Sequence, residues 1–180
     1  MITGAASGIG LAAARVFAKL GMRVCLADLG EKLDRAAAEV TRAGGRDDVV
    51  RAIPTDVSQL EDVRRLKDEA YAAFGEVALV MNNAAVRGGG GPWDNYDRWR
   101  RLIEVNLWGV INGVQTFAPA MIEQGTSSAI INTGSKQGIT TPPAARSPPT
   151  FSFPALRLLA SPVGLRSRRR RGRLSRLWSS

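Results

Sequence analysis

The apolar positions of this chain switch repeatedly between two spacings. From Gly8 to Leu20, Ile9, Ala12, Ala13, Val16, Phe17 and Leu20 recur at helical intervals; Gly21 stops the pattern, and the apolar run within 23–28 reads as a buried strand. A polar amphipathic helix is predicted over 31–43, closed by Gly44-Gly45, followed by a strand over 49–55. Ser58 then suits the N-cap of a helix over 59–74, with Leu60, Val63, Leu66, Ala70 and Phe74 on one face and Gly75 at its end. A fourth strand is predicted over 77–81 and a fifth over 129–133. Between them lie a glycine-rich stretch, Gly88 to Gly91, read as a hinge or spacer, and one long helix over 96–123. Strands and helices alternating through short connections imply α/β architecture, a parallel, doubly wound sheet with helices on both faces.

The first of these connections carries the candidate chemistry. Thr3-Gly4-Ala5-Ala6-Ser7-Gly8-Ile9-Gly10 places glycines where a backbone must turn sharply out of a strand and approach a pyrophosphate, whose charge rests on the free N–H groups of the following helix. Asp28 closes the next strand 18 residues beyond Gly10, near the spacing of about 20 at which a carboxylate bonds adenosine ribose hydroxyls. A carboxylate there repels a 2′-phosphate, so the reading favours NAD over NADP.

Charge divides the chain in two. The net charge of +9 comes entirely from residues 144–180, which hold nine arginines and no acid; of the 25 basic residues, 16 remain in 1–143, against 16 acidic ones. The expected organisation is a domain over 1–143 and a basic, Pro- and Ser-rich tail over 144–180 that is disordered or read out of frame. The arginine run has little aromatic interleaving, which argues against nucleic acid. No apolar run is long enough to cross a membrane and no charged-then-apolar leader precedes the glycine turn, so the expectation is a soluble, cytoplasmic protein. Cys25, the single cysteine, sits in an apolar run and reads as a small hydrophobe. The absence of histidine removes His-based triads and Glu/His zinc sites, and no metal is expected.

Over 1–143 these motifs resemble, in order and spacing, the short-chain dehydrogenase/reductase family. The resemblance implies a Rossmann-type sheet and hydride transfer between NAD and a small alcohol or carbonyl substrate. On this likeness Thr3, Gly4, Ser7, Gly8, Ile9 and Gly10 form the cofactor turn, Asp28 is the NAD-selecting acid, and Asp56 and Val57 lie at the adenine. Asn82-Asn83-Ala84 resembles the stretch after the family's fourth strand, with Asn83 and Ala84 at the cofactor and Ala85 where glycine is usual. Asn106 resembles the helix asparagine that holds a relay water, and Ser135 the serine that hydrogen-bonds the substrate oxygen.

The likeness stops at Thr141-Pro142-Pro143. The family's Tyr-x-x-x-Lys pair, commonly about 13 residues after the serine, falls here on Pro148 and Ser152; the chain's tyrosines are Tyr71 and Tyr96, and its last lysine is Lys136. Lys136 neighbours Ser135 on a strand end, where successive side chains diverge, so it makes a poor substitute base. Truncation of the sheet after the fifth strand is expected, through a shifted frame or an unspliced segment. The two residues ahead of Thr3 make a short first strand, as if the start lay inside a longer gene. The implied oxidoreductase is then inactive as written; the alternatives are a non-catalytic nucleotide-binding fragment or an interaction protein using its basic tail. Oligomeric state and substrate stay open.

Overall fold

The computed structural model describes residues 1–46, 48–87, 95–134 and 162–163. In order they form β1 (Ile2–Thr3), α1 (Gly8–Lys19), β2 (Val24–Asp28), α2 (Lys32–Gly44), β3 (Val50–Pro54), α3 (Leu60–Phe74), β4 (Leu79–Asn82), α4 (Tyr96–Ile103), a π-helical segment (Glu104–Trp108), α5 (Gly109–Gln124), β5 (Ser128–Asn132) and β6 (Pro162–Val163). The strand order is β3-β2-β1-β4-β5-β6, and β1 to β5 are all parallel. Sequence order therefore reverses at β1 and β4, and a doubly wound sheet opens a crevice there, beyond the carboxyl ends of its strands.

Alternation along β2 feeds two cores. Cys25 and Ala27 pack with Val63 and Leu66 of α3 and Phe117 and Met121 of α5, while Val24 and Leu26 pack with Ala14 and Ala18 of α1 and Leu33 and Val40 of α2. A strand buried on both faces needs an unbroken apolar run, which the 23–28 pattern supplied. Burial pushes the Cys25 thiol up to about 11, so it stays protonated and acts as a core side chain.

Four expectations are corrected. The buried stripe of α1 is Gly10, Ala14 and Ala18, with the expected Ala13 and Phe17 partly buried against the same core, whereas Ile9, Val16 and Leu20 are exposed; small residues let α1 lie close on the sheet and on α2. Helix α3 starts at Leu60 with Gln59, not Ser58, at its N-cap, because the Ser58 hydroxyl is bonded to Asp56 instead, at 2.7 Å. The long helix is broken by the π-helical turn at Glu104–Trp108. The parallel sheet does end at β5, but Pro162–Val163 adds a short antiparallel edge strand, the position where a residue without an N–H is tolerated. The glycine-rich stretch 88–91, Ser135, Lys136 and the rest of the tail lie outside the described residues.

Candidate functional site

The glycine turn is built by residues distant in sequence. Thr3 Oγ1 accepts hydrogen bonds from the backbone N–H groups of Asn83 (2.9 Å) and Ala84 (3.1 Å). The Asn83 side-chain amide donates back to the carbonyls of Thr3 (3.0 Å) and Gly4 (3.2 Å). These bonds lock the exit of β1 onto the end of β4. A Cβ on Gly10 would stand 2.2 Å from the Gly4 carbonyl oxygen, and one on Gly4 2.7 Å from Ala84 Cα; only glycine fits either place. Gly4 also needs a positive φ of 64°.

Ser7 caps α1 in extended conformation without a side-chain bond to the first turn. The opening N–H groups of a helix have no intrahelical acceptor, so those of Gly8 to Gly10 are available to an anion, and the helix dipole favours one there.

Asp28 closes the other side of the turn. One carboxylate oxygen accepts from Ala6 N–H (2.8 Å) and the other from Leu29 N–H (2.7 Å). A carboxylate has about four lone-pair positions, so each oxygen can still accept a hydroxyl. The structure gathers Gly4, Ser7, Gly8, Ile9 and Asp28 with Asp56, Val57, Asn83 and Ala84 around one cleft of about 420 Å³. Thr3 and Gly10 lie beneath the turn as its supports. Exposed Ile9 is thereby explained, since it forms an apolar wall of the cleft.

Asp56 is held in a fork that sequence reasoning missed. Its Oδ1 accepts from the backbone N–H (3.0 Å) and hydroxyl (2.7 Å) of Ser58; its Oδ2 meets Arg101 Nη2 at 3.2 Å, and Arg101 Nη1 donates to Ser58 Oγ at 2.9 Å. Burial alone would raise the Asp56 carboxyl pKa, but the Ser58 bonds and the Arg101 guanidinium outweigh it and hold the group below the ordinary carboxylate value. Arg101 lies on α4 and lines the same cleft; no motif or spacing in the sequence marked it.

Arg101→Ala is expected to cost about 0.5–1 kcal/mol at neutral pH, the scale of a partly exposed ion pair. A depressed folded pKa contributes stability above the unfolded value, near 3.9, that is lost as pH falls through the folded value. The variant should therefore show a smaller stability loss between pH 5 and pH 3 than the parent, read by urea denaturation across that range. Equal acid limbs would contradict the role given to Arg101.

Asn106 sits in the π-helical segment, and π-turns inside helices recur at functional sites. Its Oδ1 accepts from Val86 N–H (2.8 Å) and its Nδ2 donates to the Val86 carbonyl (2.9 Å). The side chain thus staples the segment after β4 to the helix. Behind it, Gly109 packs on Val57, where a Cβ would come within 2.7 Å of Val57 Cγ2. Asn82 and Asn132 join the ends of β4 and β5 through a buried 2.8 Å bond, fixing the strand that leads toward Ser135. Neither tyrosine borders the cleft: Tyr71 donates to Gln124 Oε1 at 2.8 Å, and Tyr96 is 75% exposed. Among the described residues no His, Cys, Asp or Glu cluster could hold a metal, and no helix is long and apolar enough to cross a membrane.

The comparisons with known proteins agree with this arrangement. The chain is 40% identical over 139 residues to the 1-deoxy-11-beta-hydroxypentalenate dehydrogenase of Streptomyces exfoliatus, a match covering 75% of this chain and 50% of that protein. It is 36% identical over 140 residues to the C alpha-dehydrogenase of a Sphingobium species, covering 76% and 45%. Among solved structures, a short chain dehydrogenase/reductase from Burkholderia phymatum in complex with NAD superposes with a TM-score of 0.76 at 39% identity, covering 84% of this chain and 52% of that one. The chain spans about half the length of the curated relatives it matches. With its glycine turn locked at the switch point of a parallel sheet, and with the family model for short chain dehydrogenases matching residues 1–147, the chain belongs to the short chain dehydrogenase family.

Proposed function

We propose that residues 1–143 form the nucleotide-binding part of an NAD-dependent oxidoreductase whose lineage acts on a small alcohol or carbonyl compound in the cytoplasm. The observation that carries this reading is the cradle itself: Gly4 and Gly10 occupy places that a Cβ would fill, under unspent helix amides, with a carboxylate across the cleft. Those features fit a dinucleotide. The Gly8, Ile9 and Gly10 amides bind its pyrophosphate, Asp28 accepts from the adenosine ribose, and Asp56 and Val57 border the adenine. Thr3, Asn83 and Ala84 hold the turn in shape.

When bound, the cofactor supplies the hydride-exchanging ring. The chain's own part in chemistry is narrower. Ser135 hydrogen-bonds the substrate oxygen, and since the Asn106 side chain is spent on Val86, holding a relay water falls to its main-chain carbonyl. A group able to take the substrate's proton is missing, so the chain as written binds nucleotide without appreciable turnover. The placement of both tyrosines away from the cleft favours this non-catalytic reading.

Calorimetric titration tests the cofactor assignment. NAD is expected to bind more tightly than NADP by at least about tenfold, the scale of one unpaired charge contact, about 1.4 kcal/mol. Asp28→Ala should erode that preference. Equal binding of both nucleotides by the parent would remove Asp28 from its selecting role.

A further inference from the structure

We propose that the groove between α1 and α2, on the outer face away from the nucleotide cleft, is a second anion site that takes an oligophosphate chain. The groove is a shallow, solvent-open depression of about 630 Å³, bordered by Arg15 and Lys19 on α1 and by Arg35 and Arg42 on α2. Glu39 is the one carboxylate lining it, and it is paired with Arg15 at 3.1 Å. Four cations against one acid, in a domain whose 16 basic and 16 acidic residues balance overall, make this a local concentration of positive charge.

Helix electrostatics account for only half of it. Lys19 and Arg42 lie in the last turns of their helices, where a cation complements the dipole. Arg15 lies mid-helix, and Arg35 lies four residues into α2, where the dipole disfavours a cation. No hydrogen bond or ion pair holds the Lys19, Arg35 or Arg42 head groups among the described residues.

The geometry selects the ligand's class. Arg15 and Lys19 are four residues apart and so lie about 6 Å from one another along α1, facing Arg35 and Arg42 across helices whose axes pack about 8–10 Å apart. Cations on both rims converge on a narrow, extended anion, and guanidinium forks match phosphate oxygens in pairs. The floor is Ala38 and Ala43, with no aromatic lining on which a base could stack. Recognition therefore rests on the phosphates alone. Lys19 and Arg42 stand at the carbonyl ends of α1 and α2, so the attraction there comes from side-chain cations and salt must weaken it steeply.

The test is a titration of the full chain with inorganic tripolyphosphate in about 50 mM salt, followed by amide resonances. Ala38, Glu39 and Ala43 should shift together, saturating NAD should leave those shifts in place, and about 300 mM salt should weaken them at least tenfold. Arg35→Glu with Arg42→Glu should abolish them, and Arg35→Gln with Arg42→Gln, milder at these exposed positions, should weaken them at least tenfold. Site-resolved shifts are needed because the tail carries nine further arginines and α1 offers free amides. Shifts confined to Gly8–Gly10 or to residues beyond 144, or a double variant that titrates like the parent, would overturn the proposal.

Discussion

Gly10→Ala is expected to lower unfolding stability by about 3 kcal/mol and to remove measurable NAD binding. The added methyl would sit 2.2 Å from the Gly4 carbonyl oxygen and 2.7 Å from Asn83 Nδ2. One of these neighbours is backbone and the other is pinned by two hydrogen bonds. Neither can move without cost. Overpacking of this kind costs about 1–3 kcal/mol, and losing one or both Asn83 bonds adds about 1 kcal/mol each. The displaced Gly4 also opens the cradle, so the amides of α1 no longer converge on one anion. Urea midpoints and calorimetry on the same samples check both parts. Parent-like stability together with parent-like NAD affinity would show that the close approach of Gly10 and Gly4 is not what shapes the turn.

The second large effect concerns turnover. With saturating NAD and a broad panel of alcohols and ketones, the chain is expected to reduce NAD no faster than background. Removing one general acid–base group typically costs about 10²–10⁴-fold. Hydride leaves a carbinol carbon readily only as the hydroxyl proton departs, and neither Ser135 nor Asn106 is a base near neutrality. Tyr71 is bonded to Gln124, and burial raises its phenol pKa, the opposite of what proton transfer requires. Tyr96 stands 75% exposed with Arg100 over its ring. Beyond Lys136 the chain offers arginines, which stay protonated, and hydroxyls of high pKa. A rate well above background that Lys136→Ala abolished would make Lys136 the missing base.

What the sequence made legible was local. The glycine turn, Asp28 and the strand runs are read from neighbours a few residues apart, and the five parallel strands fall within two residues of their expected bounds. The features that escaped are set by partners far along the chain. Ser58 looks like a cap until Arg101, 43 residues later, is seen to share its hydroxyl. The helix over 96–123 looks continuous until Asn106 is found bonded to Val86, 20 residues earlier. Along α1 the spacing places Ala13 and Phe17 against the core, but the fully buried positions are Gly10, Ala14 and Ala18, because close helix packing selects small residues that spacing weighs below large apolar ones. Asn83 borders the cleft, as its likeness to the family's stretch implies, and its amide also holds the glycine turn, a second task that no periodicity encodes.

The bonds from Asn83 to Thr3 and Gly4 also order events in time. The glycine turn occupies eight consecutive residues, yet its clamp comes from a side chain 80 positions downstream. At translation rates of about 5–20 residues per second, Asn83 is added roughly 4–16 s after Thr3. Until then the emerging glycine segment has only α1 and β2 to lean on, and the loop closed by the late clamp must first repay its chain entropy. The glycine turn is therefore encoded first and completed late: a nascent chain stalled before residue 83 would carry the whole glycine motif without the means to hold it.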